Sequence, residues 1–539
     1  MSDESGPSVL VLGLDAACRR VLDPLLEDGL VPHLADLLDS GVSGPLSSQL
    51  PPWTPSAWPS LFTGVNPGKH GVYGFLSFDG YDWRVVNYAD VRTHSLWELL
   101  DYHDRTSVVV NVPVTHPPRP IDGAVIPGYT APEDPDCHPS GILDAVRTEI
   151  GEYRVYAPKT EERSAQIEGY RSLVRMRGEA FRYLCDRFEP DFGFVQFQQT
   201  DTVFHERPED DGAIEAVYRA VDREIGEILE AVDPDLVAVV SDHGMGPMGG
   251  HEFRVNDFLR DHGYLNASRG GEMPSWSTVA ATQLRDGSEG ESPDHSLAER
   301  LFAQLSRAGI TSQRLDRILS TLGLRDVALR LAPTRIVQAA AEQPDFQDSE
   351  AYMRDRIECG IRLNLSGREP DGTVPAEEYE QVRSKLMELL RGVETPTGRP
   401  VFERVLRRED VYHGPYVEEA PDIVVVPTAF DEFLSTSLRG EAFGPVPESY
   451  NHKFEGLVAM TGPAVETGCE LGSATLLDIA PTLLSALDVP LSDRFDGTTL
   501  PVVPAAAETT YPEYTENETE GTTAGESVEQ RLADLGYIE

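Results

Sequence analysis

Val9–Leu14, VLVLGL, followed at once by Asp15, is the stretch that sets the fold. Six residues with no polar alternation read as a strand buried on both faces, the pattern of a parallel sheet. Beyond it, Val21–Ser40 places apolar residues at helical spacing. Runs of the same kind recur at Ser107–Val112 (SVVVNV), Phe192–Gln196 (FGFVQ), Leu236–Val240 (LVAVV), Ile361–Leu365 (IRLNL), Ile423–Val426 (IVVV) and Leu457–Met460 (LVAM). Helical patterns lie between most of them, at Ser172–Phe188, Ile214–Val232 and Ala376–Leu390. Strand alternating with helix predicts an α/β fold, with a doubly wound, mostly parallel central sheet and helices on both faces. In such sheets chemistry gathers at the carboxyl ends of the strands.

Those ends are polar in a consistent way. The first run delivers Asp15. FGFVQ leads through Phe197–Thr200 to Asp201, with His205 four residues on, and LVAVV leads to Ser241 and then Asp242-His243-Gly244. His452 stands just before LVAM. Each has an ordinary reading alone: Asp15 as a helix N-cap, Asp201 and His205 as a solvated helix face, Asp242–Gly244 as a turn. Together they mean more, because independent accidents rarely all fall at strand ends. Asp and neutral imidazole are ligands that zinc favours, at about 2.0–2.2 Å. Carboxylates buried at strand ends are costly unless a cation supplies the opposing charge.

The most specific stretch is Leu50–Phe75, LPPWTPSAWPSLFTGVNPGKHGVYGF. Pro52 and Pro55 stiffen the chain around Thr54. The pattern predicts a helix from Ser56, with Pro59 tolerated in its first turn. Thr54 then sits at a helix N-terminus, where free N–H groups and the dipole favour an anion. A threonine hydroxyl is a poor nucleophile until a base or a metal takes its proton. Zinc lowers the pKa of bound water from about 15.7 to about 7–9, and a coordinated threonine responds in the same sense. Without the Asp/His set, Thr54 reads as an N-cap.

Composition bounds the rest. Against 45 basic side chains stand 91 acidic ones, a formal charge of −46. Only Lys69, Lys159, Lys385 and Lys453 are lysines, and the pI is near 4.5. The balance resembles cytoplasmic proteins of salt-accumulating halophiles; at molar salt the screening length is about 3 Å and the self-repulsion is muted. It argues against binding nucleic-acid duplexes, which takes clustered Lys and Arg. Five scattered cysteines and no CxxC give neither a disulfide framework nor a cysteine zinc site. No apolar run reaches the ~20 residues of a membrane span, and Met1–Ser8 has no basic region before an apolar stretch. The expected location is cytoplasmic; oligomeric state is left open.

These pieces together resemble the alkaline-phosphatase superfamily, in its type I phosphodiesterase/nucleotide pyrophosphatase branch. The resemblance is carried by GLDAA with Asp15, PPWTPSAWPSLFTG with Thr54, NPGKHGVYGF, TDTVFH, SDHGMGP, NHKFEG and DIAPTLLSALDVP at Asp478–Pro490. It implies a phosphoric ester hydrolase with two divalent metals, zinc or alternatively manganese. Asp201, His205 and His452 would hold one metal, and Asp15, Thr54, Asp242 and His243 the other. Thr54 would attack phosphorus and carry a covalent phospho-threonine intermediate, on a nucleotide-type or other small phosphate-ester substrate. Lys69, Asn111 and Lys453 are candidate phosphate contacts. Where characterised members have an asparagine that binds phosphate, this chain has Phe75. A phosphomonoesterase, or a non-hydrolytic transferase or binding module on the same fold, remain the alternatives. The implied organisation is a catalytic core at 1–265 and 347–504, interrupted by a partly helical insertion or cap at 266–346. An acidic tail at 505–539 is expected to be mostly disordered, ending in a short helix near Val528–Gly536.

Overall fold

The structure, a computed structural model, describes residues 6–160, 162–269, 342–466, 468–515, 526–534 and 537. Seven strands form the central sheet: β1 (Val9–Leu14), β2 (Val42–Ser47), β3 (Ser107–Val110), β4 (Gly123–Ile126), β5 (Phe192–Phe197), β6 (Leu236–Val240) and β7 (Glu455–Thr461). Their order is β2-β7-β6-β1-β5-β3-β4. The five strands from β6 to β4 run parallel, and β7 is antiparallel to both its neighbours. The central sheet is therefore mostly parallel, as the unalternated runs require.

Side chains of β1 alternate between two cores. Leu10, Leu12 and Leu14 point to one that contains the helices Arg19–Glu27, Pro32–Ser40, Arg163–Phe188 and Asp211–Ala231. Val9 and Val11 point to the other, with Thr54–Thr63, Leu96–Asp101 and Ile479–Ala486. Every residue of β1 is buried, and each large aliphatic one contributes about 1.5–3 kcal/mol relative to exposure. Gly13 is required here: a Cβ would stand 2.9 Å from the Trp58 ring and 3.1 Å from Phe194.

One expectation is corrected. IRLNL and IVVV do not join the parallel sheet. Gly360–Leu363 and Ile423–Pro427 pair antiparallel with each other, Ile361 opposite Ile423, in a separate four-stranded sheet with Ala351–Tyr352 and Phe402–Arg407. That sheet and helix Tyr379–Arg391 share a third core, which includes Leu363, Leu386 and Val424. An unalternated run reports burial on both faces and is silent about which sheet does the burying. Residues 506–515, the described part of the stretch just after Ala505, are anchored. Glu508–Thr509 pairs with Leu491–Ser492, and buried Tyr511 donates to the Pro490 carbonyl at 2.7 Å. Backbone pairing and one anchored aromatic make up for the scarcity of large apolar residues.

Most of the 266–346 segment, with its helix-like stretches, lies outside the described residues. Its two ends, Asn266–Arg269 and Glu342–Asp345, are antiparallel partners. A helix at Glu526–Asp534 buries Val528 and Leu532 against the third core. Among the described residues no helix is long and apolar enough to cross a membrane.

Candidate metal centre

β1 lies between β5 and β6, with Gly13 level with Gln196 on one side and Val240 on the other. Parallel neighbours end together, so Asp15, the helix Gln199–Glu206 and the loop at Asp242–His243 emerge side by side. Asp201 and His205, four apart on that helix, share a face. His452 arrives from far along the chain on a two-stranded ribbon, Gly244–Pro247 with Tyr450–Lys453, in which it faces Met245. Two groups of candidate ligands result: Asp201, His205 and His452, and Asp15, Asp242 and His243. Within each group the ligand atoms lie within 4.8 Å of one another.

In the first group, His205 Nε2 and His452 Nε2 lie 3.2 and 3.4 Å from Asp201 Oδ1 and 3.0 Å from each other. In the second, His243 Nε2 lies 3.2 Å from Asp242 Oδ2 and 3.6 Å from Asp15 Oδ1. The outer partners set the imidazoles. His243 Nδ1 donates to the Gly244 carbonyl at 3.1 Å and His452 Nδ1 to the Pro52 carbonyl at 3.2 Å, leaving each Nε2 lone pair facing the cage. His205 Nδ1 lies 3.8 Å from Glu448. Asp15 Oδ2 accepts from Trp58 Nε1 at 2.9 Å and Gln196 Nε2 at 2.8 Å. Gln196 in turn touches Gln198, which reaches Asp201, so amides link the two groups.

The donor set fits divalent cations. One oxygen of each carboxylate (Asp15 Oδ1, Asp201 Oδ1, Asp242 Oδ2) is buried without any hydrogen-bond partner. Such atoms cost about 1–3 kcal/mol each, more when charged, unless something else meets them. Burial, then repulsion from neighbouring carboxylates, pushes Asp15 and Asp242 well above the ordinary Asp value. Burial pushes Asp201 up as well, but His205 and His452 outweigh it and hold it well below that value. Burial depresses His205 and the Asp201 carboxylate more than reverses this, raising it to about 10. Burial and the neighbouring His452 hold His243 well below the usual imidazole range. The region is short of positive charge.

Thr54 opens the helix Thr54–Thr63, two residues earlier than the sequence predicts, with Trp53 in extended conformation before it and no side chain capping the end. Its hydroxyl lies 3.4 Å from His243 Nε2, beside the second group. His70 of the NPGKHG stretch is structural: it is buried, pushed down to about 3 by burial, and bonds Ser60 at 2.9 Å on the Thr54 helix.

The three candidate phosphate contacts each have partners within the protein. The Lys69 ammonium donates to the Arg494 carbonyl at 2.7 Å and pairs with Asp496. Lys453 donates to the Phe430 carbonyl at 2.8 Å and pairs with Asp431 at 2.7 Å. Each ammonium thus joins one backbone carbonyl and one carboxylate of another segment, a use that a lone lysine in a sequence does not reveal. Asn111 gives its amide to Gln196 Oε1 at 2.8 Å and orients the partner of Asp15. Sequence reasoning missed Trp58 and Gln196, although WPS and FVQF stood in view. It also missed Arg356, on a small cavity with Trp53, Phe430, Phe433, Asn451 and His452. Tyr537 was missed too. Its hydroxyl lies 2.9 Å from His205 Nε2, and its ring packs on Phe75 with centroids 4.5 Å apart.

Comparison with known proteins agrees with this architecture. Phosphonoacetate hydrolase from Sinorhizobium meliloti 1021, in complex with phosphonoacetate, superposes with a TM-score of 0.52 at 15% identity, over 90% of this chain and 96% of that one. A quadruple mutant of alkaline phosphatase PafA gives 0.50 at 15% identity, over 93% and 99%. At such identities the likeness is one of fold. No curated protein matches the chain. The model of the family described as type I phosphodiesterase / nucleotide pyrophosphatase matches residues 9–307, more than half of the sequence. The chain belongs to the type I phosphodiesterase / nucleotide pyrophosphatase family, a family of enzymes.

Proposed function

We propose that this protein hydrolyses phosphoric diesters or nucleotide pyrophosphates, with Thr54 as nucleophile and two divalent cations in the paired cages. The observation that carries the reading is the set of three buried carboxylate oxygens that no hydrogen bond satisfies, converging with three imidazoles and one threonine hydroxyl. Asp201, His205 and His452 would hold one cation; Asp15, Asp242, His243 and the Thr54 oxygen the other. Bound there, the cations supply positive charge to phosphate oxygens and acidify a coordinated hydroxyl. Zinc suits this mixture of imidazole and carboxylate, and manganese is the alternative for the more oxygen-rich second group.

The chain's own residues do the rest. Tautomer locking by Gly244 and Pro52 keeps two imidazoles acceptor-side inward. Trp58 and Gln196 fix Asp15 through its second oxygen. Thr54 Oγ attacks phosphorus in line; the P–O bond to the leaving group breaks, and the phosphoryl group rests on threonine as an ester. Water then cleaves that ester, releasing product and restoring the hydroxyl. Three carboxylates and one alkoxide balance two dications, which suits a singly charged diester. Residues 1–265 and 347–504 would form the catalytic core, the 266–346 segment would set the leaving group, and the acidic composition suits a salt-rich cytoplasm.

The test is turnover of bis-p-nitrophenyl phosphate against p-nitrophenyl phosphate, at high salt with added zinc. The diester is expected to be preferred. Preference for the monoester would move the assignment to a monoesterase, and no turnover of either would favour a binding module.

A further inference from the structure

We infer that Tyr537, which follows the helix Glu526–Asp534, is the fourth ligand of the cation held by Asp201, His205 and His452, and closes that site against solvent. The inference rests on the two-cation reading above. The Tyr537 hydroxyl lies 2.9 Å from His205 Nε2, 3.4 Å from His452 Nε2 and 3.4 Å from Asp201 Oδ2. The three side chains are themselves 3.0–3.4 Å apart. A tetrahedron with metal–ligand bonds of about 2.0–2.1 Å has edges of about 3.3–3.4 Å. His205 Nε2, His452 Nε2 and the Tyr537 oxygen lie 2.9–3.4 Å from one another; Asp201 turns Oδ1 to the imidazoles and Oδ2 to the phenol, so four side chains surround one cation-sized space and the phenol is the fourth.

The placement is built. Tyr537 is 2% exposed, and its ring lies on Phe75. The helix Glu526–Asp534 before it buries Val528 and Leu532, while Arg531 stacks over Tyr156 and donates to the Ala157 carbonyl at 3.1 Å. Coordination forms a metal–oxygen bond and breaks the phenol O–H bond, and the proton leaves to water. A four-coordinate site closed by protein groups is characteristic of structural metals; turnover needs an open position. Tyr537 thus occupies the corner that substrate or water takes during turnover.

Cobalt titration of the full chain tests this. Wild-type protein is expected to bind two equivalents, with an intense visible band from a tetrahedral site. Tyr537→Phe keeps the ring on Phe75, and should weaken one of the two sites by at least about ten-fold and alter that band. Adding metal to wild-type protein should also raise the ultraviolet difference band of tyrosinate, which reads the contact without any variant. Two equivalents bound with unchanged affinity and spectrum in Tyr537→Phe, and no tyrosinate band in wild type, would overturn the tyrosine assignment alone. Failure of wild-type protein to bind cobalt would overturn the metal-centre reading itself.

Discussion

The rings of His243 and His452 lie stacked, centroids 3.7 Å apart and planes 19° apart, although 208 positions separate them in the sequence. Each belongs to a different candidate cage. The contact follows from the ribbon in which Gly244–Pro247 pairs with Tyr450–Lys453. It places an imidazole of one cage directly against an imidazole of the other.

Thr54→Ala should lower turnover of the diester by about 10³-fold or more, while metal content stays near that of wild type. Elemental analysis alongside the rate measurement separates the roles. Full activity in this variant would remove Thr54 as nucleophile.

Asp242→Asn should lower bound metal and activity together, because it exchanges a charged oxygen ligand for a neutral one in a cage already short of cations. Metal stoichiometry equal to wild type would refute the ligand assignment.

Stability should depend on pH in opposite ways with and without metal. Asp15 and Asp242 are raised above their ordinary value, chiefly by burial. A carboxyl raised in the folded state contributes stability that is complete below the unfolded pKa of about 4, and that is lost as pH rises through the folded value. In chelator, these two groups therefore destabilise the protein as pH rises from about 4 into the raised range. Metal needs them ionised, so its stabilisation grows in the same direction. Differential scanning fluorimetry with zinc and with chelator should show a larger gap at about pH 8 than at about pH 5. An equal gap at both would contradict the site electrostatics.

Gly13→Ala should destabilise the fold by about 1–3 kcal/mol, the usual range for overpacking. The added methyl meets Trp58 at 2.9 Å, Phe194 at 3.1 Å and Gln196 at 3.2 Å, and two of these hold Asp15. Urea unfolding would read the loss, and metal affinity should fall with it. Wild-type values in both would show that Trp58 and Gln196 yield at little cost.

The candidate ligands were legible because a parallel sheet puts its polar chemistry where apolar runs stop. Asp15, Asp201, Asp242 and His243 each follow such a run within a few residues. Whatever depends on contact through space was hidden. Trp58 reaches Asp15 from the helix packed on that face of the sheet, and Tyr537 reaches His205 from 332 positions along the chain; no local pattern marks either. The same limit placed two apolar runs in the wrong sheet, since hydrophobicity specifies burial but not the neighbour. Lys69 and Lys453 show the converse, cations committed to Asp496 and Asp431.

Asn266–Arg269 and Glu342–Asp345 run side by side in register, Asn266 opposite Asp345 and Arg269 opposite Glu342. Positions 269 and 342 are therefore direct neighbours in space, although 72 residues lie between them in the sequence. Whatever stands between can be lengthened, trimmed or traded for another module without shifting a strand of the chassis.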